Sequence, residues 1–344
     1  MANRSADREA ETPPHAPGLN PQRIMQFLWG HAMTQVMITA IELDLFTRIQ
    51  GGTHTIEALA HQTGASARGV RIVVDVLVSV GLVHRHGSTL SLPAESAAFL
   101  TKTSPSFIGG VIKPTQQGWN DWGDFREAVH LGRSPHARVH TNDRGDWFAT
   151  WVDGLYNLNH AAAQAVAAQV AAGAKDALDL GAGSAVWSLA SAQSNPDLQV
   201  AVIDHPSVID KVTKGFAERL GVSERYTWRP GSFRDLDLGH ETFDLIFLGH
   251  ILHGEGERRS VELLKRCHQA LRPAGTAVVA EMVADNERST NPGALIFAAN
   301  MLLFTEEGDS FSASQLELMG KLAGFSSHAW LEVPAPNPIL LLKK

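Results

Sequence analysis

One short stretch limits this chain more than any other: Ala177-Leu178-Asp179-Leu180 running straight into Gly181-Ala182-Gly183-Ser184. An apolar run of strand length, broken by one acid, reads as a strand buried on both faces. The glycines behind it permit a tight turn and let backbone come close to a ligand. Beyond this point strands and helices alternate. Residues 198–203, 226–229, 243–248 and 276–282 read as strands, 208–220 and 258–271 as helices, and the apolar run at 339–342 as a late strand. That order implies βαβ crossovers and an α/β fold with a parallel, doubly wound sheet.

Ligands of such sheets sit where the strands end, at their carboxyl edge. The first strand ends at Asp179, Gly181 and Gly183. The G-x-G spacing lacks the later glycine of a dinucleotide fingerprint, so a dinucleotide is not the natural ligand. The second strand ends at Asp204, twenty-one residues after Gly183. An acid there can accept the two ribose hydroxyls of a nucleoside, although a helix cap before Pro206 would use the same residue. The third ends at Gly231-Ser232-Phe233, a polar group and an aromatic face suited to an adenine. The fourth ends at Gly249-His250-Ile251-Leu252-His253.

The amino-terminal half is different. Residues 1–20 are polar and proline-containing, and read as a loose tail without a secretory signal. In residues 21–115, a capped helix at 55–64, a second at 67–81 and two short strands around Gly87 make a winged-helix pattern. Arg68, Arg71 and Arg85 are the residues that would touch phosphates. The formal net charge of −7 argues against a nucleic-acid surface. The apolar stretches 24–29 and 36–41 exceed what a small domain buries, and suit a subunit interface and a homodimer. Residues 116–172 read as a helical connector holding Trp119, Trp122, Trp147, Trp151 and Tyr156, with an alanine-rich helix at 161–172. Its aromatic group is placed to roof a pocket, with Trp151 and Tyr156 as candidate substrate contacts. The domain from 173 to 344 carries the cofactor site. No apolar run is long enough to span a bilayer. The single cysteine, Cys267, fits a reducing, cytoplasmic setting. No cluster has metal-ligand spacing.

Together these features resemble the class I methyltransferases of the dimeric small-molecule O-methyltransferase type, which includes plant phenolic and bacterial polyketide enzymes. The likeness runs from about residue 21. It rests on the winged-helix region, on 178–184, on 247–253, on Leu271-Arg272-Pro273-Ala274-Gly275 and on Asn300-Met301-Leu302. It rests also on Asp204-His205-Pro206-Ser207-Val208, which reproduces the family's Asp-x-Pro-x-Val. The resemblance implies a Rossmann-like seven-stranded sheet behind an N-terminal helical winged-helix dimerisation domain, with S-adenosyl-L-methionine as cofactor and a small-molecule acceptor. It implies that His253 is the general base, that Glu281 positions it, and that Glu307, with Glu306, Asp309 and Asn300, lies near a second acid site. His250 is expected as a pocket wall. The chemistry agrees. A hydroxyl acceptor must lose its proton, and a neutral imidazole with a pKa near ~6.5 can take it. A carboxylate on the other ring nitrogen then fixes the tautomer.

The chain departs from the family at Ala185, where a third glycine is common, at Ser232, where an acid is common, and at Gly254, where aspartate is common. Glu255 or Glu257 would have to compensate for the last. The loop at 304–310 also differs. These changes leave room for a second reading, methylation of a thioether sulfur on a small 2-hydroxy acid, with Arg126, Arg133, Arg138 or Arg144 meeting the carboxylate. A third is a binder or regulator that kept the fold without the chemistry.

Overall fold

The computed structural model describes residues 20–136, 145–335 and 338–344. The polar tail, Arg138 and Arg144 lie outside the described residues, as do the side chains of Trp147 and Trp151. The chain forms two compact units, Met1–Lys102 and Thr103–Lys344. The segment read as a connector belongs to the second.

The first unit is helical: α1 (Gln22–Leu28), α2 (Gly30–Glu42), α3 (Leu45–Gln50), α4 (Ile56–Thr63), α5 (Ala67–Ser79) and α6 (Ala94–Leu100), with strands β1 (His84–His86) and β2 (Thr89–Ser91) pairing antiparallel as the wing. Its boundaries follow local chemistry. Thr55 Oγ1 accepts the Ala58 N–H at 3.2 Å to start α4, and Gly64 ends it in the left-handed region. Ser66 Oγ caps α5 through the Gly69 N–H. The valines of α5 are weak helix formers, and Val70, Val74 and Leu77 are fully buried, so packing supplies what propensity does not. In α1, by contrast, no residue is buried, and Ile24, Phe27, Leu28 and Trp29 are all more than 60% exposed.

The second unit begins with α7 (Ile112–Gln117), α8 (Phe125–Leu131) and the long α9 (Gly145–Val170), then enters the sheet. The strands are β3 (Asp176–Leu180), β4 (Gln199–Asp204), β5 (Tyr226–Pro230), β6 (Phe243–Gly249), β7 (Leu271–Ala280), β8 (Ser327–Leu331) and β9 (Ile339–Lys343). The helices between them are α10 (Val186–Ser194), α11 (Pro206–Val208), α12 (Lys214–Arg219), α13 (Leu252–Ala270), α14 (Pro292–Phe304) and α15 (Ala313–Leu322). Among the described residues the sheet has seven strands in the order β5-β4-β3-β6-β7-β9-β8. Strands β3 to β7 are parallel, as expected.

Within this sheet β9 runs against the others, pairing antiparallel with β7 and with β8. The link between β8 and β9, 332–338, is too short for a crossover, so the chain must reverse. Alternate residues of each central strand serve opposite layers. Ala177, Val202 and Phe247 pack under α9 and α10, while Leu178, Leu180, Ile246 and Leu248 pack under α13. Among the described residues no helix is long and apolar enough to cross a membrane.

Candidate active site

The carboxyl edge of the sheet gathers the predicted residues. After β3, Gly181 and Gly183 both take φ 57°. A Cβ on Gly183 would sit 3.0 Å from Val152 Cγ1 of α9, so backbone conformation and space both favour glycine there. Ala185 takes φ 56° without being glycine and opens α10. Asp204 ends β4 and is buried. One of its carboxylate oxygens accepts the Gly183 N–H at 2.7 Å and the other the His205 N–H at 2.6 Å. These bonds anchor the acid to the turn and leave lone pairs on both oxygens, which is what a pair of ribose hydroxyls requires. Burial pushes its pKa up, against those two backbone bonds. Phe233 reaches the turn, with a ring carbon 3.6 Å from where a Gly181 Cβ would lie. Ser232 Oγ accepts the Arg234 N–H at 3.1 Å and shapes the loop after β5. Gly249, at the end of β6, faces the indole of Trp187.

Asp179 lies deeper. Its carboxylate accepts a short bond from Ser188 Oγ, which in turn receives the Tyr226 hydroxyl at 3.3 Å. Burial raises its pKa to about 7. It therefore braces the turn from beneath.

The second half of the site grows from register. Gly249 of β6 pairs with Ala280 of β7, so His250 and Glu281 emerge side by side, and His253 follows one turn later. Glu281 is buried. Its Oε2 accepts from His253 Nδ1 at 2.7 Å, and its Oε1 accepts the Leu252 N–H at 2.7 Å and the His253 N–H at 3.3 Å. Burial opposes its charge, but the adjoining His253 and these bonds outweigh that and hold its pKa below the usual carboxylate range. His250 takes φ 62°, donates its N–H to Ala280 O at 2.8 Å, and has Nε2 3.5 Å from Asn159 Oδ1. Burial lowers its pKa to about 4. Phe297 of α14 meets the His253 ring edge-on at 4.8 Å between centroids, and Asn300 lies one turn further on the same helix.

His250, His253 and Glu281 offer three potential metal donors within 4.8 Å of one another. Two of these residues already share the His253 Nδ1–Glu281 Oε2 hydrogen bond, so the cluster reads as an oriented acid–base pair.

Two expected residues are placed elsewhere. The Glu307 side chain is half-exposed, and its carboxylate stands 3.9 Å from Arg259. Among the described residues Glu281 is the only carboxylate bonded to His253. The reason is the loop's path. It lays backbone against the histidine turn, the Asp309 N–H meeting His253 O at 3.0 Å, and turns its acids outward. Tyr156 stacks on Phe216 at 4.2 Å and on His160 at 5.2 Å, a packing role between α9 and α12. Trp151 has no described side chain. Conversely, the sequence reading missed Asn159, Trp187 and Phe297. A polar residue one helical step past Tyr156 was the only available signal for Asn159.

The family follows from comparison. A model of the O-methyltransferase domain matches residues 123–326, and one of the O-methyltransferase dimerisation domain matches 25–102. The chain belongs to the O-methyltransferase family. It is an S-adenosylmethionine-dependent O-methyltransferase by that membership. It is similar to the tetracenomycin polyketide synthesis 8-O-methyl transferase TcmO of Streptomyces glaucescens, 26% identical, with 96% of this chain and 99% of the relative covered. Among solved structures it is similar to human N-acetylserotonin methyltransferase in complex with SAM, at TM-score 0.79 and 21% identity, covering 96% of this chain and 99% of that one. PigF with SAH gives TM-score 0.82 at 21% identity, covering 95% and 100%. The two structural likenesses speak to the fold.

Proposed function

We propose that this O-methyltransferase methylates a hydroxyl oxygen of a small organic molecule, with His253 removing the hydroxyl proton. The observation that carries the reading is the 2.7 Å bond from His253 Nδ1 to a buried carboxylate. An ionised carboxylate can only accept a hydrogen bond there, so Nδ1 carries the hydrogen and Nε2 keeps the lone pair. Glu281 fixes that tautomer and stabilises the imidazolium formed when Nε2 takes the proton.

S-adenosylmethionine supplies a methyl group activated on a sulfonium. Gly181 and Gly183 give it a close backbone approach, Asp204 meets the ribose hydroxyls, and Phe233 and Ser232 border the adenine. His250 stays neutral at physiological pH, so it repels neither a sulfonium nor the imidazolium. Phe297 closes one side of the His253 ring and limits water there.

The sulfur-acceptor reading is less well supported. A thioether has no proton to lose, which would leave an oriented base idle. Arg126 and Arg133 are exposed, and Arg138 and Arg144 lie outside the described residues. The relatives act, by name, on a polyketide and on N-acetylserotonin, and a hydroxyl-bearing ring compound is the acceptor class to screen first. We read the N-terminal unit as a homodimer element. The open apolar face of α1 supports this, and Asp75 pairs with both Arg71 at 2.6 Å and Arg85 at 2.7 Å, which offsets part of the positive charge that a nucleic-acid surface would need. A cytoplasmic setting rests on the single cysteine, Cys267, whose buried thiol, with its pKa raised to about 12, is an unreactive packing group.

The test is the pH–rate profile on an accepted hydroxyl substrate. His253→Ala should lower turnover by about 10²–10⁴-fold and abolish the acid limb, with cofactor affinity retained. An acid limb persisting unchanged in the variant would overturn the base assignment.

A further inference from the structure

The turn that carries His253 is not a rigid extension of the helix behind it. Gly256, at φ 76° and ψ 166°, interrupts α13 three residues past His253. Residues 252–255 therefore form a separate turn between β6 and the body of α13. Glycines bracket Glu255 on both sides, and each costs about 1 kcal/mol of helix propensity. Such a turn keeps its shape only through bonds to its surroundings.

Three sets of bonds hold it. Glu281 takes the Leu252 and His253 amides. Ser260 Oγ donates to Leu252 O at 3.1 Å, and the Asp309 N–H to His253 O. The third set reaches across to the loop after β5. Arg234 Nε donates to Glu255 Oε2 at 2.9 Å, and Nη2 donates to Oε1 at 2.9 Å. Glu255 is 3% exposed. A carboxylate so buried needs a full partner, and a two-pronged guanidinium supplies one. Arg234 directly follows Ser232 and Phe233, the residues bordering the cofactor turn. The same loop is tied to the body of α13 by Arg266, which donates to Phe233 O at 2.8 Å and Arg234 O at 3.2 Å. The loop thus bridges the two pieces of α13 that Gly256 separates.

We infer that Arg234 and Glu255 are positioning residues. Their ion pair is a strut that couples ordering of the cofactor-side loop to placement of the His253 turn. Neither touches the reacting atoms. The inference rests on the placement of cofactor and base given above.

Hydrogen–deuterium exchange of the whole enzyme, with and without S-adenosylhomocysteine, tests it without an acceptor. In wild type the ligand should slow exchange both at 181–183 and at 252–255, the latter by about tenfold. In Glu255→Gln, which keeps the side chain's shape, and in Arg234→Lys, which keeps the charge but loses the fork, protection at 181–183 should persist while that at 252–255 is lost. Thermal melts identify any variant that fails to fold, and either variant alone suffices. Equal protection of 252–255 in wild type and a folded variant would overturn the strut. Absence of protection at 181–183 in wild type would overturn the cofactor placement, and the strut with it. Failure of the base reading registers separately, in the His253→Ala profile.

Discussion

The two halves of the site are built on opposite plans. The turn after β3 leans first on backbone: β3 is paired on both sides and the Gly181 N–H meets Ile203 O at 2.7 Å, while side chains add only the Asp204 and Thr213 bonds to Gly183, each at 2.7 Å. The turn after β6 hangs on side chains, above all Glu281 and Glu255. A backbone-built site tolerates little change in conformation and much in chemistry. A site hung on side chains does the reverse. The contrast also separates roles, since one half must exclude side chains and the other must place a single ring nitrogen.

The sharpest way to break that contrast is Glu281→Ala. It removes the acceptor for the His253 ring and two amides at once. Turnover should fall by about 10²-fold or more, and stability by about 1–3 kcal/mol for the orphaned buried donors. Steady-state kinetics and thermal melts on the same preparation check both. Turnover within threefold of wild type would show that the turn is held otherwise.

Gly183→Ala probes the other half. The left-handed conformation and the contact with Val152 should weaken S-adenosylhomocysteine binding by about tenfold, a cost of roughly 1–2 kcal/mol. Calorimetry measures it. Unchanged affinity would mean that the turn relaxes more freely than its pairing suggests.

The remaining effect is one of pH. The unfolded chain takes a proton on His250 near pH 6.5, the folded chain only near about 4. Stability from this group is complete above about pH 6.5 and is lost as pH falls toward 4. His250→Gln lacks that loss. Its Tm should therefore gain on the wild-type Tm between pH 7.5 and 4.5, whatever the fixed cost of the substitution. A gap constant with pH would show that His250 is not held neutral by burial.

Legibility in the sequence followed the same divide. The turn at 181–183, Asp204 and the strand ends were readable because strand period, glycine spacing and parallel topology act locally or by general rule. His253 was found by its place after β6 and its partner Glu281 through family likeness. The same reading started α13 at 258, because Gly254 and Gly256 hide the histidine turn within a stretch of poor helix propensity. It placed Glu307 with the acids of the site and Tyr156 with the substrate. Nothing local shows that the 304–310 loop turns Glu306 and Glu307 toward Arg259, or that Phe216 captures the tyrosine ring.

What the amino-acid sequence by itself determined is the order of strands and helices, the glycine turn and the acid that faces it, because strand period and turn chemistry act locally and parallel βαβ topology brings the ends of neighbouring strands side by side as a general rule. Only the tertiary structure decided which carboxylate holds His253, that α9 brings Asn159 toward His250, and that Arg234 spans to a buried Glu255. Those pairs lie 28, 91 and 21 residues apart. Their geometry is set by sheet register and helix packing, and a hydrogen bond is lost within an ångström of misplacement.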